Sequence, residues 1–387
     1  MTKDPAAATL RAFLLGNLVI GTGIILPVGL LNVFMADLGL DAPTAGLLSF
    51  VGGMVVGIGA PLVAGFTSSV DRRMLLTIAM LLYFVGHIGA ALAPNFEIVL
   101  VFRAVTVAGA AIFTPQAAAA VGLILPPERR GSGIAFIFIG WSLASVLGIP
   151  LGTLLGDLIG WRGTYLCMAG LSALGMIAVW ISTPKGLKVA PLLLSSWVRV
   201  LTDWRLLMVL MVTLLLGSGQ TAVFTYLTPL MAQVYEASAP LMALTFLASG
   251  ICGVLGNIAV ARYSQQIGPA RGPMLSMVLV LIAMSLIWLF WGNYPMFLFA
   301  ACIWQIGGFA VNSFQQGRLV DLAPALASAT VAMNTSVVYL GIAVGAMTGG
   351  ALVRDSITPT LPAVAIGFVI LAMLASYLAD LGRRPAA

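Results

Sequence analysis

Amide side chains recur at helical spacing inside long apolar stretches of this 387-residue chain. Asn17, Ile24 and Asn32 are seven and eight residues apart, which puts two amides on one face of a helix. A later stretch carries a similar set, Gln305, Asn312, Gln315 and Gln316. Amides donate and accept hydrogen bonds, so as a set they favour binding of a neutral or zwitterionic polar solute. Each amide alone is also typical of hydrogen bonding between membrane helices.

Catalytic and metal-binding chemistry is poorly supported by the remaining residue types. His87 is the only histidine, and neither an HExxH motif nor a GxxxxGK[ST] phosphate loop occurs. Cys167, Cys252 and Cys302 all lie in apolar stretches, which argues against a disulfide framework or a zinc site. The sequence therefore predicts a protein that is not an enzyme and that carries no metal or other cofactor.

The elements that carry these residues are predicted to be membrane-spanning helices. The chain is 61% hydrophobic and 8% charged, with a mean hydropathy of +1.09, and a bilayer core takes roughly 20 helical residues. Twelve stretches of suitable length occur: 9–36, 43–68, 74–94, 97–125, 131–158, 163–183, 206–235, 239–266, 273–292, 294–320, 326–353 and 358–379. We predict an all-α membrane protein, and a cleaved signal peptide is not expected.

Positive charges predict the orientation, because cytoplasmic loops retain Lys and Arg. With both termini inside, fifteen of the 18 Lys and Arg residues fall on the cytoplasmic side, and only Arg162 and Arg354 fall outside. The net charge of +6 is explained by this topology, so no nucleic-acid partner is expected.

The chain divides into two similar halves. Residues 184–205 form the longest stretch that does not span, so we predict a bundle over 1–183, a cytoplasmic linker over 184–205 and a second bundle over 206–387. A shift of 197 residues aligns Gly148 with Gly345 and Gly152 with Gly349, among other Gly and Pro pairs. Six spans in each half make the repeats parallel, an architecture that secondary transporters use.

Small residues recur every four positions in and just after the fifth stretch, at Gly140, Ala144, Gly148, Gly152, Gly156 and Gly160. Each step of four residues turns by about 40° on an α-helix, so the small face winds around the helix. We expect several neighbouring helices, rather than one, to cover it. Pro150 should bend the helix by removing the hydrogen bond to residue 146.

Several motifs resemble the major facilitator superfamily, and within it the twelve-span drug and sugar efflux antiporters, nearest to the arabinose-type and sugar-efflux members. They are Leu26-Pro-Val-Gly-Leu-Leu31, Asp71-Arg-Arg73, Arg103, Leu147-Gly-Ile-Pro-Leu-Gly152, Gly160-Trp-Arg162, Tyr226-Leu-Thr-Pro229 and Gly341-Ile-Ala-Val-Gly345. The resemblance implies two six-helix bundles of parallel repeats, with spans one, four, seven and ten lining a central cavity. The implied substrate-binding residues are Asn17, Ile24, Asn32, Arg103, Gln116, Trp141, Gln220, Tyr226, Gln305, Asn312, Gln315, Gln316, Asn334 and Tyr339.

Three further features acquire roles from this resemblance. Arg103 is implied to face the cavity and to take part in proton coupling, whereas its position near the start of span four also fits snorkelling to the outer interface. Asp71, Arg72 and Arg73 are implied to form a gating latch, although a plain cluster of cytoplasmic charge explains them equally well. Gly148, Pro150 and Gly152 resemble the antiporter motif and are implied to gate.

One departure weakens the case for proton coupling. Several relatives place a carboxylate three residues before the Pro27 motif, and here that position is Ile24. No Asp or Glu is placed securely at the membrane midplane, so Asp37 and Asp157 near span ends are the remaining candidates. We therefore expect a monomeric bacterial inner-membrane exporter of a small neutral or zwitterionic molecule, with protons as the expected coupling ion. A facilitator or importer without proton coupling, or a receptor that transports nothing, are the alternatives.

Overall fold

The computed structural model describes residues 5–67, 70–188, 194–268, 270–354 and 356–381. Within these ranges the chain is almost entirely helical and contains no strand. The helices are α1 (Pro5–Leu38), α2 (Ala42–Phe66), α3 (Arg72–Ala91), α4 (Phe96–Ile124), α5 (Pro127–Ser182), α6 (Leu194–Thr202), α7 (Trp204–Phe224), α8 (Leu227–Tyr235), α9 (Ala239–Ile267), α10 (Arg271–Leu289), α11 (Tyr294–Leu322), α12 (Ala327–Leu352) and α13 (Thr360–Leu381).

Eleven of the described helices are long and apolar enough to cross a membrane. One of them, α5, has 56 residues and is interrupted at Gly160, whose φ of 72° and ψ of 171° are not helical. At 1.5 Å per residue such a length is about 84 Å, more than twice the thickness of a bilayer core. The two predicted spans 131–158 and 163–183 are therefore the two parts of α5, and the predicted all-helical membrane architecture is confirmed.

Polar side chains cap the N-termini of several helices, where they accept hydrogen bonds from backbone amides of the first turn. Asp71 does so for α3, Asn95 for α4, Asp203 for α7 and Asn293 for α11. Such N-caps satisfy amides that have no partner within the helix.

The chain forms two compact units. Unit 1 consists of Met1–Leu40 and Met54–Leu192, and unit 2 consists of Asp41–Gly53 and Leu193–Ala387. The first part of α2 thus packs within unit 2, and the rest of α2 packs within unit 1. The change of unit near residue 192 falls inside the stretch 184–205 that the sequence sets apart.

The small face of α5 packs on a single helix, α1, so the expectation of several partners was wrong. A Cβ at Gly140 would meet the Leu14 carbonyl, and one at Gly148 would meet Thr22. The other small residues of α5 contact α1 in the same order: Ala144 lies against Gly21, Gly152 against Leu26 and Gly156 against Leu30. Helix α1 follows the face of α5 as it winds, and small residues allow this close approach in lipid. Gly160 serves to interrupt the helix instead.

Unit 2 repeats this pair of helices. Gly341, Gly345 and Gly349 of α12 approach α7 at Leu214, Ser218 and Ala222 in turn. Gly345 and Gly349 are the residues that the shift of 197 aligns with Gly148 and Gly152. The repeat seen in the sequence is therefore also a repeat of helix packing.

Candidate functional site

A chain of polar contacts joins three helices of unit 1. The Trp141 indole of α5 donates to Thr114 Oγ1 (3.2 Å), and the Thr114 hydroxyl donates to Asn17 Oδ1 (2.9 Å). Asn17, which is fully buried, then donates to the Ile137 carbonyl (3.0 Å). Trp141 and Thr114 are half-buried. The chain, which we call the unit 1 relay, thus fixes the orientation of a half-buried indole.

Unit 2 contains a corresponding set on its first, fourth and fifth long helices after the linker. The Thr213 hydroxyl donates to Asn334 Oδ1 (2.8 Å), and the Asn334 amide donates to Asn312 Oδ1 (3.2 Å). Asn334 occupies the position that the shift of 197 aligns with Ile137. We call this set the unit 2 relay; like the first, it links three helices through neutral groups.

Two glutamines of unit 2 also bond within the unit. The Trp304 indole donates to Gln220 Oε1 at 2.7 Å, which joins α11 to α7. The buried Gln315 donates to the Val209 carbonyl at 3.1 Å and joins the same two helices. These contacts fit the role of interhelical hydrogen bonding that the sequence left open for each amide.

Tyr226 is buried inside unit 2, between α7 and α8. Its hydroxyl donates to the Ala346 carbonyl of α12 at 2.8 Å. A Cβ at Gly46 of α2, or at Gly350 of α12, would collide with this hydroxyl. Glycine at both positions therefore makes the slot that holds Tyr226.

Arg103 of α4 contacts the backbone of α1. Its Nη1 donates to the Gly23 carbonyl and its Nη2 donates to the Ile24 carbonyl, both at 2.8 Å. Only 5% of the residue is exposed. The guanidinium is thus held in the interior of unit 1 instead of extending to an interface.

The loop between α2 and α3 is bonded to the chain that follows α5. Asp71 Oδ2 accepts a hydrogen bond from the Gly186 amide, and the Arg72 amide donates to the Leu187 carbonyl at 2.9 Å. Arg72 itself is buried, with Nη1 donating to the Thr67 carbonyl at 2.8 Å, and Arg73 lies 4.3 Å above the Trp180 ring. These three residues therefore make specific contacts within unit 1.

The two acids considered for proton coupling lie in different surroundings. Asp37 accepts from the Trp161 indole (2.7 Å) and forms an ion pair with Arg162 (2.6 Å). Asp157 is exposed, close to the break in α5. Outside the spans, the hydroxyl and amide of Thr44 lower the pKa of Asp41, and Arg354 adds to this effect.

The other predicted residues are placed on the same helices but not in the relays. Ile24, Asn32, Gln305, Gln316 and Tyr339 are half-buried, whereas Gln116 and Pro150 are buried. Thr114, Thr213 and Trp304 also take part in the interhelical hydrogen bonds and were not predicted from the sequence. The repeat contained a signal for one of them, because Thr213 is one residue from the position aligned with Asn17. Among the described residues, no group of three or more His, Cys, Asp or Glu could hold a metal ion.

Comparison with known proteins gives a consistent set of matches. The sequence profile of the Major Facilitator Superfamily matches residues 13–346. The chain is 26% identical over 95% of its length to the "Inner membrane transport protein YdhP" of Escherichia coli K12, covering 95% of that protein. It is 26% identical to a "Probable sugar efflux transporter" of Helicobacter pylori P12, over 90% of this chain and 89% of that one. A crystal structure of a bacterial homologue of the human lysosomal transporter Spinster matches with a TM-score of 0.79, at 15% identity, over 100% of both chains.

Proposed function

Because this chain belongs to the Major Facilitator Superfamily and is a multi-pass membrane transporter of small molecules, we propose that it exports a neutral polar solute of the sugar class. One observation carries the choice of solute: apart from His87, Arg103 and Arg318, the buried polar side chains in the described helix interiors are amides, indoles and hydroxyls. The described acids lie beside helix ends or the break at Gly160. A site of this composition suits uncharged solutes better than organic cations.

The buried arginines Arg103 and Arg318 are already bonded to groups within the protein. Arg103 donates to two carbonyls of α1, and the fully buried Arg318 forms an ion pair with Asp380 at 2.9 Å. A solute that needs a fixed counter-charge would therefore have to displace an existing contact. The sugar efflux transporters among the relatives support the same class of solute.

The proposed binding residues are those of the two relays and the half-buried polar residues on the same helices. In unit 1 the ring of Trp141 offers a stacking surface for a sugar, and its orientation is set by Thr114 and Asn17. Aromatic rings with a few oriented polar groups are the usual composition of small-molecule sites. In unit 2 we propose Gln305, Gln316 and Tyr339 as further binding residues, and in unit 1 we propose Gly148, Pro150 and Gly152 as gating residues.

The proposed energy source is proton entry in exchange for solute, across the bacterial inner membrane, with both termini cytoplasmic. Asp37 is a candidate carrier, because its protonation would break the ion pair with Arg162 and so couple a proton to the α1–α5 contact. A facilitator without coupling is the second candidate. The uncharged Ile24, at the position where the family resemblance implies a carboxylate, favours it.

Transport by everted membrane vesicles tests the proposal. An exporter driven by proton antiport should accumulate a labelled neutral sugar when the vesicle interior is acidified, and a protonophore should abolish the accumulation. Trp141→Phe removes the indole donor and should raise KM about tenfold, the effect of losing one or two oriented contacts. If the labelled sugar only reaches equal concentrations on both sides, whatever the pH gradient, the protein is a facilitator. Preference for a permanently cationic dye over all neutral sugars would overturn the proposed solute class.

A further inference from the structure

Pro27 leaves one carbonyl of α1 without its helical donor. In a regular helix the amide of residue 27 would donate to the carbonyl of Gly23, but proline has no amide hydrogen, and its ring crowds that carbonyl. Pro27 is buried in the interior of unit 1. In a membrane protein an unsatisfied backbone group costs several kcal/mol, so a donor from outside the helix is required.

Arg103 supplies that donor. Its Nη1 is 2.8 Å from the Gly23 carbonyl, and its Nη2 is 2.8 Å from the next carbonyl, that of Ile24. The Tyr83 hydroxyl of α3 donates to the Ile20 carbonyl of the same turn at 2.7 Å. Three carbonyls of one turn of α1 therefore receive hydrogen bonds from side chains of α3 and α4.

The second half of the chain serves as an internal comparison. The shift of 197 residues aligns Pro27 with Phe224 and Arg103 with Ala300. Helix α7 contains no proline, so it has no carbonyl freed in this way. The half that lacks the proline at this position also lacks the arginine, as expected if the two residues act together.

We propose that Arg103 is a positioning residue whose guanidinium replaces the amide that Pro27 removes, and so holds the turn 20–24 of α1 in the shape that transport requires. Arg103 then acts through α1 and does not need to bind solute or a proton. This inference rests on the proposed function only where sugar flux is measured, because the flux assays assume that the protein transports a sugar.

The chemistry of the side chain fits this role. A guanidinium is planar and presents donors in a rigid fork, so it can reach two adjacent carbonyls at once, whereas an ammonium is a point charge on a flexible stem. Arg103→Lys keeps the charge but loses the second oriented donor. A residue needed only for its charge would tolerate this change.

A double-mutant cycle tests the proposal, since Pro27→Ala restores the missing amide. We would measure the initial rate of sugar flux against concentration, and the accumulation ratio under a pH gradient, for wild type, R103Q, R103K, P27A and P27A/R103Q. R103Q and R103K should lower the maximal rate about tenfold or more. The maximal rate of P27A/R103Q should return to within about threefold of the rate of P27A. The accumulation ratio reached under a given pH gradient should be the same in both variants.

A matched control uses a second helix proline. Pro115 lies in α4 itself, and its replacement restores an amide that Arg103 does not replace, so P115A/R103Q should remain as slow as R103Q. Failure of P27A to rescue R103Q, or equal rescue by P115A, would overturn the proposal. A loss of coupling in R103Q that P27A does not repair would instead assign Arg103 to proton transfer.

Thermal unfolding of the purified variants completes the cycle without any transport assay. If Arg103 replaces the missing amide, R103Q should lower the melting temperature far less in the P27A background than in wild type. Equal shifts in both backgrounds would overturn the proposal, even if P27A transports poorly. If wild type moves no sugar, the proposed solute is wrong, while the unfolding cycle still decides the role of Arg103.

Discussion

The carboxylate of Asp71 accepts a hydrogen bond from the backbone amide of Gly186, which ties the start of α3 to the chain that follows α5. The two carboxylate oxygens accept hydrogen bonds from different backbone amides. Oδ1 caps α3 by accepting from the amide of Arg73 (2.8 Å), and Oδ2 binds Gly186. The predicted latch residue therefore has a described partner within its own unit.

Asp71→Asn should separate these two contacts. The asparagine oxygen can still cap α3, but its amide cannot accept from Gly186, so we expect unfolding to become easier by about 1 kcal/mol. Asp71→Ala loses the cap as well and should cost about 1 kcal/mol more. Thermal unfolding measures both effects. Asp203→Asn is a matched control at the cap of α7, and a loss as large as that of D71N would contradict the assignment.

Gly46 and Tyr226 give a second prediction, because no side chain fits between the Tyr226 hydroxyl and α2. Gly46→Ala should displace the tyrosine, break its hydrogen bond to Ala346 and destabilise the protein by about 1 to 3 kcal/mol. Tyr226→Phe removes the nearest of the colliding atoms, the hydroxyl oxygen, so G46A/Y226F should be more stable than the two single effects predict. Gly59→Ala, in the same helix with open space around it, is the control. If the shift in melting temperature of G46A/Y226F equals the sum of the shifts of G46A and Y226F, the proposed slot for Tyr226 is wrong.

Two cysteines of unit 2 lie near each other, which the sequence did not foresee. Cys252 in α9 is close enough to Cys302 in α11 for the two side chains to interact. Thr245 and Tyr294 keep the same helices in register, with their hydroxyl oxygens 2.7 Å apart. Both cysteines are half-buried and therefore accessible to small reagents.

Copper(II) phenanthroline should oxidise this pair to a disulfide, since two Cu(II) ions, each reduced to Cu(I), accept the two electrons that the thiols lose, and the two thiol protons pass to solvent. The number of thiols that react with maleimide after denaturation should then fall from 3 to one. Cys167→Ser removes only the exposed cysteine of α5 and should leave the cross-link intact, whereas Cys252→Ser should abolish it. Three reactive thiols after oxidation would show that the pair is too far apart to bond.

The unit 1 relay gives a fourth prediction. Asn17→Leu leaves the Thr114 hydroxyl and the Ile137 carbonyl without this partner, so we expect a loss of about 1 to 2 kcal/mol in the free energy of unfolding. Thr114→Val interrupts the same relay. Because the two residues share one hydrogen bond, N17L/T114V should cost less than the sum of the single variants, and a fully additive result in chemical unfolding would argue against the relay.

The sequence was sufficient to predict most of the membrane-spanning helices, the two-part division of α5 and the internal repeat. It did not predict that the stretch 206–235 is two helices, α7 and α8, or that the linker contains α6. Length and apolar composition specify membrane spans almost independently of how they pack. The partner of the small-residue face was not predictable in the same way. Five small residues from Gly140 to Gly156 cover a wide arc of a straight helix, and only the packed pair shows that α1 follows the arc.

The polar residues show the same limit at the level of side chains. Asn17, Asn334 and Gln220 could be recognised as polar positions within spans, but their hydrogen-bond partners depend on how each helix is rotated. Partners such as Thr114 and Trp304 come from helices far apart in sequence. Arg103 is the clearest case, because its acceptors are backbone atoms and no side-chain pattern points to them.

The pairing of Pro27 with Arg103 also constrains how this chain could have changed over time. A proline that appeared in α1 before the arginine would have left a backbone carbonyl unmet in the membrane, whereas an arginine that appeared first could have extended toward an interface. Descendants that lose the proline should be free to lose the arginine, and the two positions should change together among relatives.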